Sequence, residues 1–200
     1  MPAIGITGGI ASGKSTFTAT LRKLAPAAVF FDADLAARRL TERPDVLGKL
    51  RSEFGDEIFS ASGSLNRGAL RAMVFSDSSK KFALEQILHP RIRAEWSALA
   101  DTHRTSSQFF FADIPLLYET GGEILCDRVA VVACSEQVQL DRLAARNAMS
   151  EAEALEMIRS QMDLTQKIKR ANHVAWNNGP AAMLESQAAT MLKLWEGVYA

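Results

Sequence analysis

Residues 3–16 read Ala3-Ile4-Gly5-Ile6-Thr7-Gly8-Gly9-Ile10-Ala11-Ser12-Gly13-Lys14-Ser15-Thr16, a short apolar run, a glycine-rich turn and the opening of a helical pattern. Glycine, four residues, then Gly-Lys-Ser is the spacing of a loop that cradles phosphate, and strand-before, helix-after is the context it needs. Backbone amides in such a loop converge on phosphate oxygens, the helix N-terminus adds partial positive charge, and glycine permits close approach. Gly9, Ile10, Ala11, Ser12 and Gly13 then line the phosphates. Lys14 bridges the outer ones, Ser15 offers a hydroxyl to Mg²⁺, and Thr16 adds a further amide or hydroxyl at the inner phosphate.

Outward from this loop, apolar runs at Ala3–Thr7, Ala28–Phe31, Phe109–Ala112, Arg128–Ala133 and His173–Trp176 alternate with longer helical stretches. That rhythm predicts an α/β fold with a parallel sheet of five strands. Lys14–Leu24 and Glu136–Arg146 read as helices. Ser150 with Glu153 is a capping box opening a helix expected to run to about Arg170, and Pro180 suits the first turn of a final helix ending near Tyr199. The interval from Asp32 to Gln108 is too long for a simple crossover and is itself helical in pattern. Asn66 and Asp77 are expected caps there, and Pro90 is expected to bend or split the longer helix. The expected organisation is one domain over 1–200: a core of 1–34, 107–140 and 171–200, a helical insertion of about 35–106, and a lid of about 141–170.

Two hundred residues, 48% of them hydrophobic and 23% charged, support one packed core and exclude wholesale disorder. Twenty-three basic residues balance 23 acidic ones, so no global field favours nucleic acid. No run of about 18 uncharged apolar residues suggests a membrane span. Cys126 and Cys134 form no zinc pattern and read as reduced, buried thiols, with a cytoplasmic setting expected. The sequence sets no oligomeric state.

Acids at strand ends form the next constellation. Asp32 and Asp34 follow one apolar run and Asp113 another, and a parallel sheet brings such ends to the phosphate-loop edge. Asp32 suits a helix cap. Of Asp34 and Asp113, one could orient or deprotonate an acceptor hydroxyl and the other hold magnesium directly or through water. Arg142 and Arg146 are four apart on one helix face, suited to neutralising a γ-phosphate, whereas Arg159, Lys167, Lys169 and Arg170 read as solvated charges. His103 and His173 read as structural, and Trp96, Trp176 and Trp195 as core or interface residues.

No guanine-reading Asn-Lys-x-Asp or transporter Leu-Ser-Gly-Gly-Gln motif occurs, which leaves a small-molecule kinase. Beyond that, GITGGIASGKST from Gly5, FDADLAAR from Phe31, LNRGALRAMVFSD from Leu65, HPRIR from His89, DIPLLYETG from Asp113 and QLDRLAARN from Gln139 together resemble the dephospho-CoA kinase family over nearly the whole chain. The resemblance implies a three-layer phosphate-loop nucleoside-triphosphate hydrolase fold with strand order 2-3-1-4-5. It also implies transfer of the ATP γ-phosphate to the ribose 3′-hydroxyl of dephospho-CoA, the last step of CoA synthesis. It casts Asp34 as general base or orienting group for the 3′-hydroxyl, Lys14 and Arg142 as charge stabilisers with Arg146 assisting, Ser15 and Asp113 around Mg²⁺, and Asn177 at the nucleotide. Thr7, Asp34, Arg71, His89, Asp113, Leu116 and Leu117 fall on the acceptor side. The sequence departs from the family pattern at Ala11, where glycine is usual, at Asn147, and in ANHVAWNNG. There Asn172 and Trp176 bear on purine selectivity. Competing readings are another nucleoside or nucleotide kinase, separated by acceptor choice, and a non-catalytic nucleotide-binding regulator.

Overall fold

The computed structural model describes residues 1–147 and 149–199, with the side chains of Arg146, Asn147 and Tyr199 outside the described set. The expectation for the Arg146 side chain therefore lies outside the described residues. Five parallel strands form one sheet: β1 (Ala3–Gly8), β2 (Val29–Asp32), β3 (Phe110–Asp113), β4 (Arg128–Ala133) and β5 (His173–Trp176). Their order is β2-β3-β1-β4-β5, as expected, and every strand lies within one residue of its sequence reading. Such strands read as continuous apolar runs because helices cover both faces of a parallel sheet. Nine helices accompany them among the described residues: α1 (Lys14–Leu24), α2 (Ala33–Leu40), α3 (Pro44–Phe54), α4 (Arg67–Ser76), α5 (Ser78–Arg104), α6 (Glu136–Asn147), α7 (Glu151–Arg159), α8 (Leu164–Arg170) and α9 (Ala181–Tyr199).

The chain divides into two compact units, Met1–Asp32 with Ala98–Ala200, and Ala33–Ser97. In the first, Ile4, Ile6, Phe111, Ala130, Val132 and Ala175 on the sheet pack against Phe17 and Leu21 of α1 and Leu184, Ala188, Leu192 and Trp195 of α9. The opposite face approaches so closely at Gly5 that a Cβ there would lie 2.6 Å from Cys126 Sγ and 2.9 Å from Leu117 Cδ2. β1 sits where the strand order reverses, between β3 and β4. In such sheets ligands bind beyond the carboxyl ends of the strands at that switch point.

The second unit has its own core of Leu40, Val46, Leu50, Phe54, Ile58, Leu70 and Leu88. Pro44 begins α3 at a position where its missing N–H is not needed. Asn66 caps α4 by accepting from Ala69 N at 3.1 Å, and Asp77 accepts from Ser79 N at 2.8 Å ahead of α5.

Three local expectations need correction. Pro90 does not split α5, which runs unbroken through it. The missing N–H costs α5 a single ladder bond, to the Gln86 carbonyl one turn back, and the helix continues on both sides of it. The capping box at Ser150 is present, but its helix stops at Arg159. Asp163 accepts from Gln166 N at 3.1 Å and starts α8, while Met162 N turns away to Glu119 Oε1 at 2.9 Å. Pro180 precedes α9 rather than lying in its first turn, its carbonyl accepting from Met183 N at 2.9 Å. Trp96 and Trp195 are buried, but Trp176 is 46% exposed. The alternation of β5 sends Ala175 into the α1–α9 layer and leaves Trp176 on the other face.

Candidate active site

The loop Gly8–Gly13 connects β1 to α1 at the carboxyl edge of the sheet. Ser12 N donates to the Gly9 carbonyl at 3.1 Å, and Gly13 enters the helix in the left-handed region at φ 99°. Ala11 is also left-handed, at φ 56°. This is the position where the resembling family favours glycine, and an L-residue there carries local strain. The first bond into α1 runs from Phe17 N to the Gly13 carbonyl at 3.1 Å, so the amides of Lys14, Ser15 and Thr16 precede the helical ladder and face the sheet edge as donors.

Side chains from distant elements hold the loop's carbonyls. Gln139 Nε2 donates to the Ile10 carbonyl at 2.7 Å. Arg142 Nη1 donates to the Ala11 and Ser12 carbonyls, both at 3.1 Å, and its Nη2 to the Asn177 carbonyl at 3.0 Å. Asn177 Nδ2 donates to the Ser12 carbonyl at 2.8 Å. With three successive carbonyls drawn to these donors, the N–H ends of the peptides are left for an anion, the arrangement that makes a backbone nest. Ile10 and Ser12 are the exceptions, the Ile10 N–H donating to Gln161 Oε1 at 3.0 Å and the Ser12 N–H to the Gly9 carbonyl at 3.1 Å.

Lys14, in the first turn of α1, ion-pairs with Asp113 at the end of β3, the two side chains being 16% and 8% exposed. Thr18 Oγ1 donates to the other Asp113 oxygen at 3.0 Å. One carboxylate thus receives the phosphate-loop lysine and a hydroxyl from the next turn of the same helix. Ser15 is exposed beside them. A serine hydroxyl and a carboxylate are hard oxygen donors, the chemistry that fits Mg²⁺ shared with phosphate oxygens.

The remaining candidates divide by burial and by unit. Thr7 and Leu117 are fully buried, with Thr7 Oγ1 donating to the Pro115 carbonyl at 2.9 Å, while Leu116 is half-buried. Asn172 does not sit at the nucleotide edge. It precedes β5 at the amino edge of the sheet, where its Oδ1 accepts from Val129 N at 2.8 Å. In the other unit Asp34 is exposed in the first turn of α2, Arg71 is exposed on α4, and His89 is half-buried on α5. Both cysteines are free, and burial pushes the Cys126 thiol up to about 12, with Asp127 and Glu123 adding to the shift. Such a thiol is no nucleophile. The sequence reading missed Gln139, Gln161 and Thr18. It also missed Lys167, taken as a solvated charge but fully buried. No local signal marks these residues, because their partners are remote in the chain.

The dephospho-CoA kinase family model matches residues 2–182. A dephospho-CoA kinase of Bacillus cereus is 40% identical over 194 residues, covering 96% of each chain. One from Geobacillus kaustophilus is 39% identical over 201 residues, covering 98% of this chain and 97% of that one. The solved dephospho-CoA kinase from Campylobacter jejuni superposes with a TM-score of 0.68 at 25% identity, over 96% of each chain. A shikimate kinase from Bacteroides thetaiotaomicron, at 15% identity and a TM-score of 0.56, shares the fold. The phosphate loop, the Lys14–Asp113 pair at its edge and these matches lead to one conclusion: the chain belongs to the dephospho-CoA kinase family.

Proposed function

We propose that this chain transfers the γ-phosphoryl group of ATP to the ribose 3′-hydroxyl of dephospho-CoA, giving CoA and ADP. The observation that carries the reading is Lys14, held at Asp113 beside the open amides of α1, in a chain of this family. The amides of Lys14, Ser15 and Thr16, with those of Ala11 and Gly13, receive phosphate oxygens. Lys14 exchanges Asp113 for the outer phosphates when nucleotide binds. Ser15 and Asp113 are the residues that would hold Mg²⁺, which supplies neutralisation of phosphate charge.

Asp34 takes the proton of the 3′-hydroxyl as that oxygen bonds to the γ-phosphorus and the bridging oxygen departs with ADP. Arg142 contributes chiefly by holding the loop, and Arg146 is assigned a share of the charge stabilisation during transfer. Arg71, His89 and Leu116 belong to the acceptor side, residues 35–106 form the acceptor-binding insertion, and 141–170 form the lid. Among the described residues no helix is long and apolar enough to cross a membrane, and we place the reaction in the cytoplasm.

The test is mass spectrometry of the purified protein with MgATP and dephospho-CoA, beside adenosine and nucleoside monophosphates. A product one phosphoryl group heavier than dephospho-CoA, lost on the order of 10²- to 10⁴-fold in Asp34→Asn, is expected. Turnover only with another acceptor overturns the reading.

A further inference from the structure

Lys167 on α8 is the one lysine in the buried set of the described residues, with a side chain 0% exposed. An ammonium group has three protons and no acceptor, and loses its hydration on burial, so it persists there only where acceptors replace the water. Three do. Lys167 Nζ reaches the Gly8 carbonyl at 3.3 Å, the Pro115 carbonyl at 3.2 Å and Glu119 Oε1 at 2.7 Å. Gly8 is the first residue of the phosphate loop, and Pro115 lies two residues beyond Asp113. The same Pro115 carbonyl accepts from Thr7 Oγ1 at 2.9 Å, and the same Glu119 oxygen accepts from Met162 N at 2.9 Å.

One ammonium therefore fastens together the chain leaving β1 and the chain leaving β3, the two segments that carry Lys14 and Asp113. We propose that Lys167 is a positioning residue for phosphoryl transfer. By bonding the Gly8 and Pro115 carbonyls it fixes the phosphate loop against the Asp113 strand end, so that the loop is already shaped when nucleotide arrives. Glu119 has the separate task of balancing the buried charge and anchoring the α7–α8 connection. The inference rests on the phosphoryl-transfer reading for its kinetic consequence, and on the loop geometry alone for its effect on nucleotide binding.

A purely structural lysine would affect stability and leave the kinetics of folded protein alone. The test compares the parent with Glu119→Gln, Lys167→Gln and Lys167→Met/Glu119→Gln, the last having no unpaired charge left in the site. Each is first checked by thermal melting, and Lys167→Gln stands in should the double variant not fold. In a folded Lys167 variant, kcat with dephospho-CoA is expected to fall at least tenfold with KM for dephospho-CoA within twofold, and Kd for MgADP to rise threefold or more. Glu119→Gln keeps both carbonyl bonds and is expected to melt lower while holding kcat within about threefold.

Parental kcat and parental MgADP affinity in a folded Lys167 variant overturn the proposal, as does an equal kcat loss in Glu119→Gln. MgADP binding needs no acceptor. If the parent fails to phosphorylate dephospho-CoA, the function proposed above falls, while an unchanged MgADP Kd in the Lys167 variants still overturns the positioning role and a raised one still supports it.

Discussion

The Asn177 side chain, at the end of β5, donates to the Ser12 carbonyl at 2.8 Å, and a methyl group on neighbouring Gly13 would come within 2.1 Å of the same Nδ2. Asn177 was expected at the nucleotide. Its amide shapes the loop that would receive the phosphates, and the shape depends on a residue without a Cβ at 13. Gly13→Ala meets two obstacles, the clash and a φ of 99° that L-residues rarely adopt. It is expected to lower stability by about 2 kcal/mol or more and to remove measurable MgATP binding. Urea denaturation with isothermal titration checks both. Wild-type binding in folded Gly13→Ala would contradict the loop geometry.

Lys14→Met separates the lysine's chemistry from its ion pair. Phosphoryl transfer is expected to fall about 10²- to 10³-fold, the scale for losing one preorganised charge at the transferring group. Because the side chains of the Lys14–Asp113 pair are only 16% and 8% exposed, a stability loss of about 1–2 kcal/mol should accompany it. Adding Asp113→Asn is expected to restore most of the stability and none of the activity, read by denaturant melts and initial rates on the same preparations.

Ala11 stands at φ 56° where glycine is at ease. Ala11→Gly relieves a left-handed penalty of about 1–2 kcal/mol, partly offset by the added freedom of glycine in the unfolded chain. A net gain of about 0.5–1 kcal/mol is expected, with transfer activity retained. A denaturation midpoint lower than that of the parent would show that the left-handed turn is not strained.

The capping box of α7 should be sensitive to acid. Ser150 Oγ and N both donate to Glu153 Oε2, at 2.7 and 2.8 Å, and these bonds hold the Glu153 carboxyl below its ordinary value. A carboxyl lowered in the folded state contributes stability that is complete above its unfolded value and is lost as pH falls through the folded one. Helicity by circular dichroism, followed downward from pH 6, is expected to separate the parent from Glu153→Gln above the ordinary glutamate range. The two curves should converge below it.

The sequence by itself determined the strands, the phosphate loop, the acids at strand ends and the caps at Asn66, Asp77 and Ser150. Each of these is specified by residues within a few positions of one another, through apolar runs, backbone sterics or a short side chain reaching its own backbone. The tertiary structure decided what holds the loop. Ile10 is tied to Gln139 and Gln161, and Gly8 to Lys167, across separations of 129, 151 and 159 residues. It also decided that a lysine in the polar run Leu164–Arg170 is buried, and that Asn172 serves the amino edge of the sheet rather than the nucleotide edge. A side chain's local pattern fixes its tendency to form helix or strand. Whether its charge is solvated or matched depends on which acceptors the folded chain brings to it, and only the packing of remote segments supplies those.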